Sequence, residues 1–86
     1  MTAVLEPVTM PVRPILSDRE IEVLRTWVVC DSKDEVGSVL FISGATVNTH
    51  ISRIRAKYES VGRSANTKAT LLARALQDGY VHIDDL

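Results

Sequence analysis

Cysteine occurs once in these 86 residues, at Cys30, so no internal disulfide can form and stability must come from packing. That predicts a reducing compartment. Cys30 lies between Val29 and Asp31 near an expected helix end, where it reads as a small apolar residue rather than a reactive thiol. It has no ligand-spaced partners, and His50 and His82 stand far apart in sequence, so no metal site is expected. There is no glycine-rich phosphate loop. His50 and Ser52 are two apart on one expected helix and point to different sides, which excludes them as a nucleophile–base pair. An enzyme is therefore the weakest reading, and no cofactor is expected. No apolar run approaches the ~20 residues of a membrane span. The N-terminus has neither the basic start nor the continuous apolar stretch of a signal peptide. A soluble cytoplasmic protein with no membrane partner is expected.

Positive charge is also scarce overall. The formal net charge is −1 and the pI is near 6.1. Taken alone this argues against a nucleic-acid binder, whose domains are often strongly basic. The distribution reverses the argument. Residues 1–42 sum to −3 and residues 75–86 to another −3, whereas residues 43–74 sum to +5, with Glu59 their only acid. Local field, not net charge, governs contact with phosphates. The surrounding acid should still weaken non-specific binding.

The most informative stretch is Ile42–Tyr58. Ser43 is a good N-cap, since its hydroxyl can accept from the unpaired N–H groups of the first turn. Ile42 and Val47 have the spacing of a hydrophobic staple. Val47, Ile51, Ile54 and Tyr58 recur at helical spacing and predict one buried stripe on a helix over about 44–57. The opposite face carries Thr46, Asn48, Thr49, Ser52, Arg53 and Lys57. A solvated face normally mixes both signs of charge. This one has hydrogen-bonding groups and cations without a carboxylate, which suits the floor and walls of a DNA major groove.

A shorter helix precedes it. Ser32 and Glu35 fit a capping box, and Val36, Val39 and Leu40 follow as its buried stripe. Phe41 and Ile42 form a tight link into Ser43, and Gly37 lies where the two helices would press together. Short helix, short turn and longer helix with a polar face is the sequence form of a helix-turn-helix.

Upstream, Pro7, Pro11 and Pro14 predict an extended tail or linker over residues 1–15. Ser17 and Glu20 form another capping box, which opens a first helix ending near Val29. It should bury Ile21, Leu24 and Val28, with Val23 and Trp27 joining them. Residues 59–66 are rich in turn formers and read as a loop. A last helix begins near Thr67, with Ala69, Leu72, Ala73 and Leu76 as its expected buried face and Gly79 as its stop. Lys68, Leu71, Ala75 and Asp78 then point to a different side. Leu71 and Ala75 suit either a scattered surface pair or a small helix-to-helix dimer contact. The expected fold is all-α, a compact four-helix domain over residues 16–86 that contains a helix-turn-helix.

Several of these segments resemble one family. Leu16-Ser17-Asp18-Arg19-Glu20-Ile21-Glu22-Val23-Leu24 is similar to the opening motif of LuxR-type (GerE- or FixJ-type) DNA-binding domains. Ser32-Lys33-Asp34-Glu35-Val36-Gly37 resembles their Ser/Thr-Asn-Lys-Glu-Ile-Ala element. Ile42-Ser43, Thr46-Val47-Asn48-Thr49-His50-Ile51 and Ile54 resemble their recognition helix. The resemblance spans roughly residues 16–81. It implies a bacterial transcription regulator, of the kind found in response regulators, that binds double-stranded DNA as a homodimer through its last helix. By position, Asn48, Thr49 and Ser52, with Arg53 beside them, would read bases. Lys33, Ser43, Thr46, His50 and Lys57 would meet the DNA backbone, and Lys68, Leu71 and Ala75 would lie at the dimer contact. RNA polymerase, and a receiver or sensor domain outside these residues, are the further partners it implies.

Three departures stand out. Asn48 replaces the family's usual Lys, and its amide matches adenine N7 and N6. Gly37 stands where Ala is common. The loop at 59–66 is longer than the commonest form, which leaves Arg63 without an assigned role. The competing reading is a LuxR-type fold that serves as a protein-interaction module, holding polymerase or another regulator without reading DNA.

Overall fold

In the computed structural model, which describes residues 12–86, the chain forms helices α1 (Asp18–Trp27), α2 (Lys33–Leu40), α3 (Gly44–Ser60) and α4 (Lys68–Gln77), then a 3₁₀ turn at Ile83–Asp85. No strand occurs among the described residues, so the all-α expectation holds. None of their helices is long and apolar enough to cross a membrane. Most of the tail expected over residues 1–15 lies outside the described residues. Residues 12–17 carry no regular element, and Pro14 is buried.

Local capping chemistry fixes where the helices begin. Ser17 Oγ accepts from Glu20 N at 3.1 Å while Ser17 N donates to Glu20 Oε1 at 2.8 Å, which closes the expected capping box of α1. Ser43 and Thr67 cap α3 and α4, accepting from Thr46 N and Thr70 N. The box at α2 closes only by half. Ser32 Oγ accepts from Glu35 N, but the Glu35 carboxylate reaches past the cap and accepts from Asp31 N at 3.0 Å.

The turn between α2 and α3 is held by backbone geometry. Phe41 ends α2 in the left-handed region, at φ 60°, and Ile42 N donates back to Gly37 O at 3.0 Å. A Cβ placed on Gly37 would lie 2.3 Å from Ile42 O. Glycine at 37 is thus a requirement of the turn, and it outweighs a helix-propensity cost of about 1 kcal/mol.

α2 packs closely on α3, and α1 packs on both. Val23, Leu24, Val36, Val47, Ile51, Ile54 and Tyr58 are fully buried between them. All four residues of the expected α3 stripe are among these. Val39, expected to be buried, is more than half exposed, and Ile21 and Leu40 are half-buried.

α4 corrects the sequence reading. Leu71 and Ala75, expected on the outside, are fully buried; Ala69 and Ala73 are exposed, and Leu72 and Leu76 half-buried. Helical spacing alone allowed either face, because α4 has apolar residues on most of its sides. Asp78 decides between them. It shares a face with Leu71 and Ala75 (i, i+4, i+7) and is itself buried, with its carboxylate bonded to Tyr58 and Arg63. Counting Asp78 as a solvated charge pointed the helix the wrong way.

Candidate nucleic-acid interface

The buried stripe of α3 turns its opposite side outward by default. Thr46, Asn48, Thr49, Ser52 and Arg53 are all exposed on that side. Thr46 Oγ1 lies 2.9 Å from Ser43 Oγ, so both hydroxyls sit at the start of the helix. Thr49 Oγ1 donates to Ala45 O of its own helix at 3.1 Å and retains acceptor capacity. Arg53 has no side-chain partner among the described residues. The outer face therefore presents an amide, hydroxyls and a guanidinium to solvent.

Lys33, from the first position of α2, is brought to this face. Its Nζ donates to Asn48 Oδ1 at 2.6 Å and lies 5.9 Å from the centre of the Trp27 ring. A backbone-contact candidate and a base-reading candidate thus form one unit, which neither local motif foretold. His50 is half-buried beside the stripe, and its Nδ1 is buried with no partner among the described residues.

Two other expected site residues are engaged elsewhere. Lys57 is 40% exposed and has a partner that its late position on α3 did not foretell. Its Nζ is 2.5 Å from Glu20 Oε1, in an ion pair that ties α3 to the start of α1. Burial pushes the Glu20 carboxyl pKa up, but the Lys57 bond and the two from Ser17 together outweigh it and hold the value below its ordinary one. Lys68 is not part of an outer apolar contact. Its ammonium lies 4.2 Å from the centre of the Trp27 ring and donates to Cys30 O. Cys30 is buried, and that desolvation, with the Glu35 carboxylate next in effect, raises its thiol pKa.

Below the outer face, the end of α3 is built on a polar cluster. Tyr58 OH donates to Asp78 Oδ2 at 2.7 Å, and Arg63 pairs with the same carboxylate at 2.9 and 3.0 Å. Arg63 also donates to Gln77 Oε1 at 2.9 Å and to Val12 O at 3.0 Å, with its guanidinium 5.2 Å from the Tyr58 ring centre. Burial and the Asp78 bond together raise the Tyr58 pKa strongly. Arg63, from the longer loop, therefore joins α3, α4 and the segment before α1. The sequence carried no local signal for this, because its partners lie 5, 14, 15 and 51 residues away.

A family model described as bacterial regulatory proteins, luxR family, matches residues 14–67. The match includes α1, the turn and all of α3, and it ends at the N-cap of α4. It covers more than half of the chain, which belongs to this family. No curated protein and no solved structure matches it.

Proposed function

We propose that this member of the luxR family is a sequence-specific, DNA-binding transcription regulator that lays α3 in the major groove. The observation that carries the reading is the exposed side of α3, where Thr46, Asn48, Thr49, Ser52 and Arg53 offer hydrogen-bonding groups and a cation with no acid among them. A helix fits the major groove, where base edges present acceptors, donors and the thymine methyl. Asn48, Thr49, Ser52 and Arg53 read base edges. Lys33, Ser43, Thr46 and His50 set the helix against the backbone, which fixes register without carrying sequence information. Lys57 supports the groove helix from within, through Glu20.

The regulator acts as a dimer through α4, using the exposed Ala69 and Ala73 with the outer edges of Leu72 and Leu76, which also pack against the core. A two-fold contact places each residue near its own copy, and a small alanine–leucine face lets two helices approach closely. A second reading, a surface for a protein partner such as polymerase, is favoured by Phe41, which stands 94% exposed in the turn.

Selection of bound duplexes from a random pool tests the proposal. The expected result is an enriched, two-fold symmetric site whose half-sites lie about one helical turn apart. A pool that stays unenriched, with no duplex retained, would overturn it.

A further inference from the structure

We propose that Lys33 decides which base Asn48 reads, and that the pair selects guanine over adenine. This rests on the reading that α3 lies in the major groove. An isolated asparagine amide suits adenine, donating to N7 while accepting from the N6 amino group. Here the amide is not isolated. Lys33 Nζ donates to Asn48 Oδ1 at 2.6 Å. An ammonium has three donors and no acceptor, so only the amide oxygen can face it. The orientation of Asn48 therefore follows from the charge of its neighbour.

The consequence lies in what the pair then offers to a base. Asn48 is exposed, and with Oδ1 turned to Lys33 its Nδ2 is left to donate to a base. The Lys33 ammonium keeps two further protons, and it is held at the Trp27 ring as well as at Asn48. The pair presents mostly donors, and its one acceptor, the second lone pair of Asn48 Oδ1, lies beside the ammonium. The N6 amino group of adenine would have to share that oxygen with the ammonium, which crowds two donors at one acceptor. Guanine presents N7 and O6, two adjacent acceptors, and matches a donor-rich unit. Lys33 is thus a positioning residue for base choice in addition to a cation near phosphate.

Random-pool selection, followed by titration of guanine and adenine versions of the recovered site, tests this in the full chain and its variants. The native chain should prefer guanine at one base pair in each half-site by about tenfold. Lys33→Met keeps an unbranched side chain without the donor and should abolish that preference or turn it to adenine. Lys33→Arg remains donor-only and should keep guanine. Asn48→Ala should remove the discrimination whether or not Lys33 is also replaced, because Lys33 acts through the amide. The proposal is overturned if the native chain prefers adenine. It is equally overturned if Lys33→Met lowers affinity for both duplexes alike and leaves their ratio unchanged. A native chain that binds no duplex at any salt would overturn the DNA-reading function itself, and this inference with it.

Discussion

Residues 46–53 of α3 and the stretch from Lys57 to Arg63 carry the same kinds of group, hydroxyls and cations, and use them in opposite ways. In the first stretch Thr46, Thr49, Ser52 and Arg53 stand exposed, and no carboxylate pairs with them among the described residues. In the second, Lys57, Tyr58 and Arg63 turn onto Glu20 and Asp78, both of them buried. The difference lies in what stands opposite. An acid contributed by a distant segment converts a cation from a surface charge into a fastener between helices. Charge counted along a sequence is therefore not charge available to a ligand. Lys57, Arg63 and Lys68 all contribute to the +5 of residues 43–74, yet each already bonds a group of the domain itself.

The largest effects should come from the committed side. Leu71→Glu would put an unpartnered carboxylate at a fully buried site, a loss of more than about 4 kcal/mol that a small domain is not expected to survive. Leu72→Glu, one residue further on a half-buried side, should leave helical circular dichroism intact while weakening binding to a paired site more than to a half-site. Equal loss of helix in both variants would show that α4 buries both faces.

Asp78→Ala comes next. It would strip Arg63 of its carboxylate and leave a buried cation uncompensated, at a cost of about 3–5 kcal/mol. The urea midpoint should fall with little change in slope. Arg53→Ala, by contrast, should stay within about 0.5 kcal/mol of the native stability, as an exposed residue away from any packed feature. A comparable fall in both would erase the distinction between the two stretches.

Glu20→Gln should have a smaller, pH-dependent effect. The folded-state pKa of Glu20 is lowered, so its charged form contributes stability that is fully present above the ordinary value of 4.5. That contribution is lost as pH falls through the lowered folded value. Lys57 is 40% exposed, so solvent screening limits the effect to about 1 kcal/mol at pH 7. Denaturation curves across a pH series should show the gap between native and variant closing only in acid. A gap that widened in acid would mean that Glu20 is not held ionised by Lys57.

Most of this was legible where the chemistry is local. The caps at Ser17 and Ser43, the α3 stripe and the glycine requirement at 37 each depend on residues within a few positions, and each is found as expected. The composition of the outer face of α3 was legible for the same reason. What sequence could not supply were pairings across the fold. The face of α4 depended on Asp78 meeting Tyr58 and Arg63, and the state of Asn48 depended on a lysine 15 residues earlier. A polar residue at the margin of an amphipathic helix reads as solvated until its partner's position is known.

The division of α3 into a groove-reading face and a fastening end is tested most directly by DNA binding measured against salt. Affinity of the native chain should fall linearly on logarithmic axes as salt rises, because phosphate contacts release counterions. Arg53→Ala should lower that slope by about one unit, whereas Lys57→Ala, whose ammonium is held by Glu20, should leave it nearly unchanged. A slope that drops for Lys57→Ala and not for Arg53→Ala would contradict the account.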